Sequence, residues 1–91
     1  MNTNIKSGLA TLVLTFSASA YAGPDCTSEP QGNWMSQGEM QKQIIDMGYT
    51  IDRFKVDDSC YEIYGRNGDQ RKVEVYFNPV SGKVVKEEIE D

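Results

Sequence analysis

The spacing of apolar residues changes period at Gly48. Before it, Met40, Ile44 and Met47 recur at i, i+4 and i+7, the repeat of one helix face. Ser36 and Glu39 form an S-x-x-E capping box at the start of that run, and Met35 is placed to staple onto Met40. Gly48 offers the left-handed residue that ends a helix. The pattern predicts a helix over 37–47, with Glu39, Gln41, Lys42, Gln43 and Asp46 facing water. A Met-rich stripe of this kind packs into a core more often than it serves as a groove.

After Gly48 the period becomes two, the period of strands. A first strand is predicted over 49–56. Tyr49 and Ile51 share one parity while Phe54 and Val56 share the other, so a bulge is expected near Asp52 and Arg53. Asp57, Asp58 and Ser59 make a turn. A second strand over 60–65 puts Tyr61 and Ile63 on one face and Cys60, Glu62 and Tyr64 on the other. Asn67-Gly68 is a hairpin signal. A third strand over 72–77 aligns Val73, Val75 and Phe77 against Glu74 and Tyr76. Asn78-Pro79-Val80-Ser81-Gly82 is the next turn, and a short last strand over 83–86 carries Val84 and Val85.

These elements predict an α+β fold: one N-terminal helix packed on one face of a three- to four-stranded antiparallel β-meander. The helix stripe lies on the Tyr61, Ile63, Val73, Val75 and Phe77 side. Cys60, Tyr64 and Tyr76 then point to the opposite side.

The ends of the chain read differently. Residues 1–22 have the grammar of a Sec-type signal peptide: Lys6, an apolar run of about ten residues from Leu9, and Ala20-Tyr21-Ala22 before Gly23. The run is too short to span a membrane, which takes about 20 apolar residues. Cleavage is predicted after Ala22, with a periplasmic or secreted product that makes no stable membrane insertion. Residues 23–35, punctuated by glycines and prolines, form an irregular lead-in carrying Trp34. The domain proper covers 36–86, and 87–91 is an acidic tail expected to fray.

Two cysteines remain, Cys26 and Cys60. In an exported chain they read as one disulfide. No cation sits beside Cys26 to activate a thiol. Because Cys60 points away from the helix, the lead-in must reach the second face of the sheet or curl round its edge.

Composition narrows the function. The 91 residues contain no histidine, which excludes His-based catalysis and His-ligated metals. The net charge is −5, and −6 without Lys6 in the leader. Such a surface repels nucleic acid. Asp57 and Asp58 are turn formers, and Asn67-Gly68-Asp69 is only a fragment of a calcium loop. Glu62 and Glu74 are expected to pair across strands with Arg53 and Lys72. No catalytic residue, metal ligand or cofactor is assigned. What rises above plain packing is recognition. Tyr64, Tyr76 and Trp34 are candidates for a protein-contact surface, with the alternative that Trp34 and the lead-in cover the two tyrosines. A short edge strand could also accept an extended peptide, with Lys83 and Lys86 guarding it against aggregation.

Four stretches carry a resemblance. They are Trp34-Met35-Ser36 with Glu39, Gly48-Tyr49 at the helix exit, Cys60-Tyr61-Glu62-Ile63-Tyr64, and the run from Val73 to Val85. Over about 25–86 the chain resembles the small secreted PepSY-domain proteins of bacteria. Their Asp-Pro-x-Thr-Gly-like turn has its counterpart in Asn78, Pro79, Ser81 and Gly82, with Asn for Asp and Ser for Thr. The paired cysteines also look like that family. The resemblance implies a PepSY-like fold and a non-catalytic module with a protein partner, a peptidase being the kind the family suggests. It carries no catalytic residues. The alternative is an envelope structural or stress protein that binds cations or cell-wall components through its acidic surface.

Overall fold

Ser36 starts the helix as its sequence dictates. Its Oγ accepts the Glu39 N–H at 3.1 Å, and helix α1 spans Gln37–Asp46. The exit is a Schellman closure: Gly48 takes φ +102°, its N–H reaches the Ile45 carbonyl, and the Tyr49 N–H reaches that of Ile44. Strands β1 Thr50–Asp57, β2 Cys60–Arg66, β3 Lys72–Phe77 and β4 Val84–Ile89 follow. They form one antiparallel sheet in the order β1-β2-β3-β4. The computed structural model describes residues 23–90. The leader assigned to 1–22 lies outside the described residues, as does Asp91. No described helix is long and apolar enough to cross a membrane.

The fold is the expected α+β arrangement with all four strands. The pairing of β1 with β2 shifts between Ile51 and Arg53, the bulge that the change of parity demands. It returns Ile51 and Phe54 to one face. That face meets α1: Met40, Ile44, Tyr61, Ile63, Val73, Val75 and Phe77 form the core, flanked by Trp34, Met35, Tyr49, Ile51 and Phe54. Gly65 sits opposite the bulge, where a Cβ would run into the Thr50 carbonyl oxygen. Gly65→Ala is therefore expected to cost about 1–3 kcal/mol, as overpacking does, read by thermal unfolding.

Several details differ from the pattern. Met47 belongs to the helix stripe by spacing but is 45% exposed. The chain turns at Gly48 and supplies Tyr49 instead, whose ring meets Phe77 edge-on at 6.0 Å. The lead-in contains a single 3-10 turn, Gln31–Asn33. The β2–β3 hairpin does not use Asn67-Gly68 as a two-residue turn. The Asn67 carbonyl accepts from Gln70 N–H, its Oδ1 accepts from Asp69 and Arg71, and the left-handed residue is Gln70, at φ +67°. Asn67 uses its side chain to close the turn, so the positive φ falls three residues later.

The last strand is longer than its sequence suggests. Glu87, Glu88 and Ile89 continue β4 opposite Val75, Glu74 and Val73 rather than fraying. The Tyr49 hydroxyl also donates to Glu87 Oε1 at 2.7 Å. The 78–82 turn forms as its residues dictate. Asn78 Oδ1 accepts from Val80 and Ser81, the Asn78 carbonyl accepts from Gly82, and Gly82 takes φ +80°.

Candidate functional site

Two cysteines place the lead-in. Cys26 and Cys60 form a disulfide with Cα atoms 5.2 Å apart, and Cys26 N–H donates to Ser59 Oγ at 2.9 Å. Cys26, Cys60 and Tyr76 make a small apolar cluster on the face away from α1. The lead-in then rounds the end of the sheet, where the β1–β2 and β3–β4 turns lie. Met35 N–H bonds the Pro79 carbonyl there at 3.0 Å.

That path separates the three aromatic residues proposed as a contact surface. Trp34 lands on the helix side, edge-on to Tyr61 at 5.2 Å, with its indole N–H on the Glu29 carbonyl. Tyr64 and Tyr76 share the opposite face. Trp34 covers neither. Tyr76 is buried beneath Gly23 and the disulfide: a Cβ at Gly23 would lie 2.8 Å from the Tyr76 ring. Tyr64 is half-buried, with Arg53 and Lys55 stacked on its ring at 5.4 and 5.9 Å.

Register organises the rest of this face. One row across the sheet reads Arg53, Tyr64, Glu74, Glu88, and the next reads Lys55, Glu62, Tyr76, Lys86. Together with Gly23, Asp57 and Glu90, six of these residues line a cleft of about 540 Å³: Glu62, Tyr64, Glu74, Tyr76, Lys86 and Glu88. Five carboxyl groups and one ammonium therefore share it.

Glu62 lies at its floor, 1% exposed. Neither of its oxygens has a hydrogen-bond donor among the described residues, and Lys55 Nζ stands 3.8 Å from Oε1. The expected pairing of Glu62 and Glu74 with Arg53 and Lys72 does not form at Glu62. Arg53 is drawn onto the Tyr64 ring, and Glu62 faces another carboxylate. Burial first, and Glu74 second, push the Glu62 carboxyl up to about 7. Glu74 moves the other way, below the usual carboxylate range, chiefly through the neighbouring Glu62 carboxyl and also through the hydrogen bond it accepts from Tyr76. The two carboxyls are thus pushed apart, Glu62 toward its protonated form and Glu74 toward its ionised one. Tyr76 donates to Glu74 Oε2 at 2.8 Å, and burial with that bond raises its phenol. Burial and the two glutamates lift Tyr64 to about 12.

Beside this pair, one carboxylate oxygen each from Glu74, Glu88 and Glu90 converge to within 4.8 Å of one another. Lys86 Nζ meets Glu88 Oε2 at 3.1 Å. None of these four glutamates stands out by spacing in the sequence. The alternation did place Glu62 and Glu74 with the two tyrosines, but Glu88 and Glu90 join them only because β4 extends past Lys86.

The cleft offers charge, hydrogen-bond acceptance and two neighbouring carboxyls whose proton affinities are pushed apart. Compared with known families, residues 7–88 match the model described as peptidase propeptide and YPEB domain. No curated protein and no solved structure matches the chain.

Proposed function

The chain belongs to the peptidase propeptide and YPEB domain family, and from that membership we propose that it is an exported, non-catalytic binding module that docks on a peptidase and restrains it. The observation that carries this is the β4 edge. Among the described residues strand β4 has no neighbour on its outer side, all six of its residues are exposed, and Val84, Val85 and Ile89 offer apolar side chains 41–47% open. An extended segment of a partner can add to such an edge, backbone bonds giving affinity and side-chain contacts giving choice. Lys86 within the strand and Lys83 before it discourage pairing with a second copy.

The disulfide fits export, since such bonds persist outside reducing compartments. Cleavage after Ala22 leaves the α-ammonium of Gly23 at the Asp57 end of the acidic cleft, where opposite charges meet. The mass of the natural product tests this directly: it should begin at Gly23.

The docking test measures casein hydrolysis by peptidases of the source envelope, with the purified protein added at micromolar concentration. A peptidase should be slowed and retained on the immobilised protein. Val85→Asp, at an exposed edge position, should weaken that inhibition at least tenfold while leaving the unfolding temperature in place. If no peptidase slows, the reading fails. The other reading, an envelope protein that binds cations through its acidic surface, is favoured by one specific observation, the five carboxyl groups of the cleft.

A further inference from the structure

We propose that the β4 end of the cleft is a binding site for one divalent, oxygen-seeking cation of the calcium class, held by Glu74, Glu88 and Glu90. Convergence is the first ground. The three carboxylates each bring an oxygen within 4.8 Å of the others. An ion bound at about 2.3–2.6 Å holds its ligand oxygens no more than about 5 Å apart. The three oxygens therefore lie within roughly 0.2 Å of a single ion's reach. The register shows how they come together: Glu74 and Glu88 are directly opposite across β3 and β4, and Glu90 follows two residues on, its N–H on the Lys72 carbonyl at 2.8 Å. Like charges in direct opposition destabilise a strand pair. A cation between them reverses that sign.

The second ground is independent of the cluster. Glu62 is 1% exposed, lines the same cleft and has neither oxygen hydrogen-bonded among the described residues. A carboxylate withdrawn from water in this way needs positive charge near it, and its Lys55 contact, at 3.8 Å, is a loose one. An ion on Glu74 brings two further charges to its side of the cleft.

The chemistry of the donors selects the ion. All are carboxylate oxygens, which suit hard cations. Tyr76 and Lys86 each hold one of the ligands in position, through Glu74 Oε2 and Glu88 Oε2. A guanidinium, the other cation that acidic clefts take, grips a single carboxylate with two parallel bonds. Three oxygens converging from three side chains describe an ion's coordination sphere instead. The sequence concealed the site because two of its ligands sit in what reads as a frayed tail.

Calcium chloride is titrated into the purified protein at constant ionic strength, followed by calorimetry and by amide NMR, in parallel with Glu88→Gln/Glu90→Gln. The wild type should saturate with a dissociation constant of about 10⁻⁴–10⁻³ M, the range of extracellular modules. Shifts should concentrate at residues 62, 74 and 86–90, and the double variant should bind at least tenfold more weakly while unfolding at no lower temperature. The proposal is overturned by shifts that rise linearly over all acidic residues, by binding unchanged in the double variant, or by saturation with arginine amide and not with calcium. No partner protein enters this experiment, so its outcome is separate from whether a peptidase is slowed.

Discussion

Replacing both cysteines, Cys26→Ser with Cys60→Ser, is expected to lower stability by about 3–4 kcal/mol, the chain-entropy value for a closed loop of this length. In a domain of this size each kcal/mol moves the unfolding temperature by about 4–8 °C. The loss compares with the whole stability of a marginal small domain. It should also be uneven in space. Trp34, Met35 and Tyr61 hold the second half of the lead-in to the helix side: the Tyr61 hydroxyl donates to the Met35 carbonyl at 2.6 Å. Residues 23–28 depend on Cys26 and its bond to Ser59. Hydrogen exchange of the reduced protein at low temperature should therefore show 23–28 released and Trp34 still protected. Equal loss at both segments, or an unfolding temperature unmoved by reduction, would mean that the disulfide does not anchor the lead-in.

Raising the pH from 5 to 8 is expected to destabilise the protein, measured in the presence of a chelator. The sign follows from Glu62. Its folded value is near 7, above the ordinary 4.5 it takes when unfolded. Below pH 4.5 it is protonated in both states and its contribution is fully present. Between 4.5 and 7 the unfolded chain ionises first, so stability falls, by about 3 kcal/mol at most. Glu74 contributes in the opposite sense. Its folded value is depressed, so its stabilisation is present above the unfolded value and is lost as pH falls through the folded one. The pair therefore gives a maximum near pH 4–5, with a decline on either side. Glu62→Gln keeps the shape and abolishes the charge. It should flatten the decline between pH 5 and 8 and unfold at a higher temperature than the wild type at pH 8. Lys55→Met should steepen the decline, since Lys55 is what holds Glu62 down. A wild-type unfolding temperature that is level from pH 5 to 8 would contradict the buried pair.

Much of this architecture was legible in the residues. Strict alternation from Tyr61 to Ile63 and from Val73 to Phe77 defines one apolar face, and a change of parity between Ile51 and Phe54 can be reconciled with it only by a bulge. The same parity sends Cys60 to the far side and obliges the lead-in to follow. Three things were hidden. Trp34 goes to the helix side because the lead-in rounds the end of the sheet, and no local pattern records that path. Glu87 and Glu88 look like solvated tail, yet they gain partners in Val75, Glu74 and Tyr49 that lie far away in sequence. Glu62 reads as an ordinary strand-surface residue. It is 1% exposed, and the cleft it lines is shared with Gly23 of the lead-in and Lys86 and Glu88 of β4.

The sheet face away from α1 is organised around a buried carboxyl, Glu62, set against the ionised Glu74. Carbon-13 NMR of the glutamate carboxyls, followed against pH with a chelator present, reads this arrangement at the atoms concerned. Glu62 should titrate near 7, and Glu74 below the ordinary carboxylate range. Glu62 titrating near 4.5 would mean that water reaches it, and the buried pair would not exist.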